Sequence, residues 1–210
     1  MPKRLLFIVT ITLAALNLAA QPSVEKMLLD LPNDCLWLPK EKRMELMAYY
    51  RERKTDSVSN GMNGYCRITE LNDSTGRMVL KTSSMGMLEL QALTLGPTPC
   101  FGVIRTTCGP ACDSRVLFLG TDRMPLQINA PSPDASAFLK TGLPQDDAAL
   151  AQALLTPLFV SFTFGPDGSL TATCNARAFL SDGDWEKLKP MLATEKLVYA
   201  FANGIWTIRQ

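Results

Sequence analysis

The chain has 210 residues, with 21 Lys and Arg against 20 Asp and Glu for a formal net charge of +1, and it contains no histidine. That balance offers no electrostatic footprint for nucleic acid or an acidic membrane surface. Without imidazole there is no Ser-His-Asp or Cys-His machinery, no His-ligated metal and no His pH switch, which confines catalysis to carboxylate pairs, Ser-Lys arrangements or a bare thiolate.

The first expected element is an export signal. Lys3 and Arg4 form a short positive start, and Leu5 to Ala20 follow with no charge, too few residues to anchor the chain across a bilayer. The small Ala20, with Leu18 two residues earlier, places cleavage after Ala20, and no Cys follows the cut to carry a lipid. Taking Lys3 and Arg4 from the 21 basic residues leaves 19 against 20 acidic ones. Residues 21–210 hold no second long apolar stretch, so the expected product is a periplasmic, secreted or surface protein with no transmembrane segment. Its length suits a single domain that buries roughly 70% of the surface exposed by the unfolded chain.

Val24, Met27, Leu28 and Leu31 sit at helical spacing behind Ser23, a capping residue, and predict a helix over 23–31 that Pro32 and Asn33 end. Pro39 opens a second helix over 40–53, with Met44, Met47 and Ala48 as its apolar stripe and Lys40, Glu41, Arg43 and Glu45 toward water. The polar, Gly-punctuated run 55–64 reads as a loop. Tyr65 to Leu71 and Arg77 to Thr82 flank turn residues and predict a hairpin. Leu88 to Leu95 alternates Leu88, Leu90 and Ala92 with Glu89, Gln91 and Leu93, a strand with one wetter face near its start. Phe101 to Thr107 and Arg115 to Leu119 enclose a cysteine-bearing turn as a further hairpin.

Pro131, Pro133, Gly142 and Pro144 mark 129–145 as a connecting stretch able to divide the sheet into two sub-halves. A third helix follows over Asp146 to Leu155, its two aspartates at the positive N-terminal end. Phe159 to Phe164 and Ser169 to Ala176 pair around Pro166, Asp167 and Gly168. Ser181 caps a fourth helix running toward Leu192 that Pro190 shortens or kinks. Lys196 to Ala202 and Ile205 to Arg209 flank Asn203-Gly204, the strongest hairpin signal in the chain. Tight turns between strands and few helices give an α+β class over 21–210: curved antiparallel sheet with helices packed on one face.

Six cysteines remain after residue 20: Cys35, Cys66, Cys100, Cys108, Cys112 and Cys174. Cys108 and Cys112, separated by Gly109, Pro110 and Ala111, are the best local disulfide, with Cys100 to Cys112 as the rival and free buried thiols as the third reading. A zinc site is disfavoured because this CxxxC has no second pair and no His to complete it.

Several stretches resemble one family, exported proteins of Bacteroidales bacteria known as a domain of unknown function. They are Leu31-Pro32-Asn33 leading into Lys42-Arg43-Met44-Glu45-Leu46-Met47, Thr69-Glu70-Leu71, Leu88-Glu89-Leu90-Gln91 and, above all, the run from Thr106 and Thr107 through Cys108-Gly109-Pro110-Ala111-Cys112-Asp113-Ser114. Leu119 and Arg123 stand where the family pattern has aromatics. The resemblance implies a cell-envelope or secreted address and supplies no activity. In that lineage Asp-Ser before an apolar residue or Thr is an O-glycan acceptor pattern, and Ser57 and Ser74 match it, although ordinary turn chemistry also explains both.

The functional expectation is an exported binding or scaffolding module without cofactor or metal, with an envelope protein or a glycan as partner and the loop Thr107, Cys108, Gly109, Pro110, Cys112, Asp113, Ser114 as its binding element. The alternative is a thiol- or carboxylate-dependent periplasmic hydrolase. It would use an unpaired Cys112 thiolate beside Asp113 and Ser114, whereas the plainer reading has Asp113 accept backbone amides and Ser114 begin a strand.

Overall fold

The computed structural model describes residues 23–209 apart from 55 and 62, so the export-signal reading lies outside the described residues. Two helices lead, α1 (Val24–Asp30) and α2 (Lys40–Arg51), then the strands β1 (Val58–Ser59), β2 (Tyr65–Asn72), β3 (Arg77–Lys81), β4 (Gly86–Leu95), β5 (Thr98–Cys108) and β6 (Cys112–Gly120). These six form an antiparallel meander in sequence order. After a connection containing one 3-10 turn at Ala135–Phe138 come α3 (Gln145–Leu154), β7 (Val160–Phe164), β8 (Leu170–Cys174), α4 (Asp182–Leu188), β9 (Lys196–Ala202) and β10 (Ile205–Ile208). Their strands make a second antiparallel sheet in the order β10-β9-β8-β7. The class is α+β with two open sheets. None of the helices among the described residues is long and apolar enough to cross a membrane.

Local chemistry accounts for the element ends. The Ser23 side chain accepts from the Lys26 N–H, and that of Ser181 accepts from the Asp184 N–H at 3.1 Å, each satisfying a donor that the first helical turn leaves free. Helix α4 stops at Leu188, where Pro190 removes a donor, and a 3-10 turn at Lys189–Met191 takes over. Asn203 and Gly204 adopt φ of 52° and 85°, the left-handed pair required by a two-residue hairpin loop. Two expectations fell short at the edges: a two-residue strand, β1, pairs with the start of β2 inside the run read as a loop, and β5 and β6 reach to the cysteines themselves.

The period-two pattern divides the first sheet's side chains between two cores. Leu88, Leu90 and Ala92 of β4, Met78 and Leu80 of β3, and Phe101 and Val103 of β5 pack against Met27, Leu28, Leu46 and Met47 of the leading helices. From the opposite face Leu93, Leu95, Cys100, Ile104 and Phe118 pack with Phe162, Phe164, Leu170 and Tyr199 of the second sheet and with Trp185 and Leu188 of α4. Burying each large apolar side chain in these cores stabilises the fold by roughly 1.5–3 kcal/mol. The expected wetter face of β4 is thus covered: Glu89 is 6% exposed and Gln91 2%. Alternation along one strand shows which residues share a face, but a second sheet arriving some 70 residues later decides whether that face stays wet.

Gly102 permits the close approach of the sheets. A Cβ built there would meet Phe164 Cζ at 2.1 Å and Leu93 Cδ1 at 2.9 Å, so only a residue without a side chain leaves the Phe164 ring its place.

The stripe of α2 is rotated from the expected one. Arg43, Leu46 and Met47 face inward while Met44 is exposed. The cause is the Arg43 guanidinium, only 2% exposed, which donates to the carbonyls of Leu38 at 2.7 Å, Leu36 at 2.9 Å and Leu28 at 3.2 Å, and to that of Leu31. It also reaches Asn33 Oδ1 at 3.0 Å. A single cation thus satisfies the carbonyls left open where α1 ends and the chain turns toward α2, at the negative end of the helix.

Candidate functional site

The Cys108–Cys112 disulfide is formed across the tip of the β5–β6 hairpin. Cys100 pairs with Gly120 at the far end of β5, eight residues from Cys108, which rules out the rival bridge to Cys112. Cys35, Cys66, Cys100 and Cys174 are free and buried. Burial pushes the thiols of Cys35 and Cys100 up to about 11, and those of Cys66 and Cys174 up as well, toward the inert protonated form.

Of the predicted loop, Thr107, Gly109, Pro110 and Asp113 are exposed and Cys108, Cys112 and Ser114 half-buried, and the side chains of Asp113 and Ser114 are turned to structural work. Asp113 Oδ1 accepts from Val160 N–H at 3.2 Å, and Ser114 Oγ accepts from Phe162 N–H at 3.1 Å and lies 2.7 Å from Thr106 Oγ1. Glu89 Oε1 extends the series, accepting from Phe164 N–H at 3.1 Å. Since β7 pairs with β8 on one side only, its alternate N–H groups at 160, 162 and 164 point away from the second sheet. Three side chains of the first sheet take them up in place of a neighbouring strand. Asn175 completes the brace, its Nδ2 donating to the Cys112 carbonyl at 2.6 Å and to Ser161 Oγ at 3.0 Å. Glu89 meanwhile pairs with Arg77 Nε at 2.8 Å, and burial raises its pKa against the pull of that guanidinium.

A different place has the form of a site. Between the sheets lies a groove of about 370 Å³, walled by the β7–β8 turn at Pro166 to Ser169, floored by β4 from Gln91 to Leu95, and bordered by Ser74, Phe201 and Arg209. The Gln91 amide is fixed: Nε2 donates to the Ala92 carbonyl at 3.1 Å and to the Thr75 carbonyl. Two carbonyl partners identify the nitrogen, so Oε1 faces the other way. Among the described residues, Gln91 Oε1 and Trp206 Nε1 are the buried side-chain polar atoms without a hydrogen-bond partner, and Gln91 lines the groove. Asp167 Oδ1 accepts from Ser169 Oγ at 2.6 Å and Ser169 N–H at 3.1 Å, while Oδ2 pairs with Arg209 at 2.6 Å. Ser169 first and Arg209 second hold the Asp167 carboxyl well below the usual carboxylate range.

Sequence reading missed this groove because its parts come from five separated segments, none with a motif. The available signals were Gln91, a polar residue in the middle of an apolar strand, and Asp167 in a Pro-Asp-Gly turn. Ser57 and Ser74, the candidate glycan acceptors, are both exposed; Ser74 lies on the β2–β3 turn at the rim of the groove, its hydroxyl bonded to Asn72 Oδ1 at 2.7 Å. A larger depression of about 720 Å³ between the end of α2 and β2 mixes charges of both signs, with Arg51 already paired to Glu25. None of its lining residues has a buried polar atom without a partner among the described residues.

This architecture belongs to a family of domains. The family model described as "Protein of unknown function (DUF3256)" matches residues 15–206, and the chain belongs to that family. A solved structure, "Structure of a domain of an uncharacterized protein from Porphyromonas gingivalis W83", shares the fold with a TM-score of 0.73 at 21% sequence identity, covering 89% of this chain and 97% of that one. No curated protein matches the sequence.

Proposed function

We propose that this protein is an exported, envelope-located binding module that holds a ligand in the groove between its two sheets without transforming it. The observation that carries this reading is the cleft of about 370 Å³ between the sheets, of ligand size, floored by β4 from Gln91 to Leu95 and walled by the β7–β8 turn. The basic-then-apolar leader over residues 3–20 and the Cys108–Cys112 bridge support an address in an oxidising compartment. The hydrolase alternative loses its nucleophile to that bridge, and Asp113 and Ser114 are spent on the backbone of β7. A glycan on Ser74 would stand at the mouth of the groove and restrict entry.

Two measurements test the proposal. N-terminal sequencing of protein from fractionated native cells should find an envelope species beginning near residue 21; an intact Met1 in the cytoplasmic fraction would refute the address. NMR should show the Gln91 side-chain amide shifting when a soluble extract of the native envelope is added. No change at Gln91 or in the 166–169 turn would refute binding in the groove.

A further inference from the structure

We infer that strand β10 is a pairing edge that takes β10 of a second copy of this chain, antiparallel, about a two-fold axis at Thr207. An open strand edge offers its backbone groups to any chain able to pair with them, so folds close their edges by identifiable means. Along β7 the outward N–H groups go to Asp113, Ser114 and Glu89. At β6 the chain folds back, Leu126 N–H donating to the Phe118 carbonyl at 2.9 Å and Gly120 N–H to that of Met124 at 2.8 Å, while Asn175 takes the Cys112 carbonyl. On the first sheet's other side β1 covers Tyr65 and Cys66, and the rest of β2 carries a register shift between Ile68 and Glu70 together with the charges of Arg67 and Glu70, which oppose pairing. Strand β10, Ile205-Trp206-Thr207-Ile208, has no charge, proline or bulge, and Ile205 is 61% exposed and Ile208 49%.

The parity of the hairpin identifies the free groups. The two-residue loop Asn203-Gly204 makes Ala202 and Ile205 a hydrogen-bonded pair, and Arg209 N–H donates to the Val198 carbonyl at 2.7 Å, so Ile205, Thr207 and Arg209 turn their backbone groups toward β9. Trp206 and Ile208 turn theirs outward, where no backbone group among the described residues meets them. An axis at Thr207 sets Trp206 of each copy opposite Ile208 of the other, two pairs that each exchange both N–H···O bonds, and sets Thr207 against Thr207. Aromatic with β-branched and Thr with Thr are favourable cross-strand partners, and no like charges meet. That self-complementarity is what selects a second copy as the occupant. Four residues span only about 13 Å. Stable interfaces bury at least roughly 1,200 Å², so this dimer is reversible and dilute protein keeps these amides open to exchange.

The test is sedimentation velocity of the purified protein from about 10 μM to 1 mM, over which a monomer should pass into a dimer. Thr207 is exposed, so its side chain can be changed without touching either core. Thr207→Lys and Thr207→Glu should each weaken the dimer at least tenfold by setting like charges against each other on the axis, and an equimolar mixture of the two should dimerise again. Ile208→Pro is a second route: it removes an outward N–H that β9 does not use, so the fold stays and the dimer goes. In the unaltered protein the amides of Trp206 and Ile208 should shift with concentration far more than those of Ile205 and Thr207. A monomer at every concentration, a dimer indifferent to all three substitutions, or no recovery in the mixture of Lys and Glu variants would overturn the inference. A protein that stays monomeric while a soluble extract of the native envelope slows exchange at Ile208 would assign the edge to a foreign strand and overturn the second copy. The 166–169 turn lies outside the seam, so failure of the dimer and failure of the groove as a binding site are read separately.

Discussion

Strand β7 should behave as an interior strand although it has a strand neighbour on one side only, and Ser114→Ala is the perturbation that shows it. Phe162 N–H ends on Ser114 Oγ at 3.1 Å in a partly buried setting, and Thr106 Oγ1 lies 2.7 Å from the same oxygen. Deleting the hydroxyl leaves the Phe162 donor where water reaches it poorly, a penalty of about 1–3 kcal/mol against a net gain of about 0.5–1.5 kcal/mol for an ordinary hydrogen bond. The Thr106 hydroxyl can rotate to another partner, so the expected loss of stability is about 1.5 kcal/mol, or roughly a tenfold faster amide exchange at Phe162. Amide hydrogen exchange followed by NMR resolves this residue by residue. In the unaltered protein the amides of Val160, Phe162 and Phe164 should exchange slowly, and in Ser114→Ala only Phe162 should accelerate strongly, since Asp113 and Glu89 still hold its neighbours. The reasoning fails if the Phe162 amide already exchanges in the unaltered protein as fast as outward-pointing amides of β10.

Three further outcomes follow from the same geometry. Arg43→Ala should cost about 3 kcal/mol by stripping several buried carbonyls of their donor, lowering the urea midpoint by about 1.5 M; a shift below about 0.3 M would show that water replaces the guanidinium. Gly102→Ala should cost about 2 kcal/mol through the clash with Phe164, and Phe164→Leu in the same chain should recover part of that loss, which a double-mutant cycle in chemical denaturation would measure; simple additivity would argue against the contact. Glu89 has its pKa raised in the fold, so the fold binds its proton more tightly than the unfolded chain does. Its proton-linked contribution is full below the ordinary value of 4.5 and is lost as pH rises through the raised value. Glu89→Gln should remove that slope from a stability-against-pH profile, and an unchanged slope would reject the assignment.

The sequence was most legible where one residue type has one conformational use. Asn203-Gly204, Ser181 and Pro190 each placed an element end because left-handed φ, an N-cap oxygen and a missing N–H act locally. It was least legible where a polar residue's partner is distant in sequence. Arg43 reads as solvated on a helix of charged residues, and only the fold brings the carbonyls of Leu28 to Leu38 around it. Glu89 and Gln91 read as the wet side of a strand for the same reason: their partners at Phe164 and Thr75 lie 75 and 16 residues away. The cysteine loop invited a functional reading because its residues are chemically versatile and adjacent. Adjacency also made it suitable for a brace.

That brace and the groove are mechanically one device. Glu89 and Gln91 stand two residues apart on the same face of β4. Glu89 pins the N–H of Phe164, the last residue of β7, and the turn that forms the groove wall begins two residues later, at Pro166. The spacing of floor and wall is therefore braced by a hydrogen bond two residues outside the groove on either strand, and the opposite end of β7 is held by Asp113 beside the disulfide. Reducing Cys108–Cys112 frees the hairpin tip that carries Asp113, so its effect should reach the groove in order along β7, Val160 first and the 166–169 turn last. The motif that looks most like a binding element would then act on binding at a distance, by holding the strand that frames the groove.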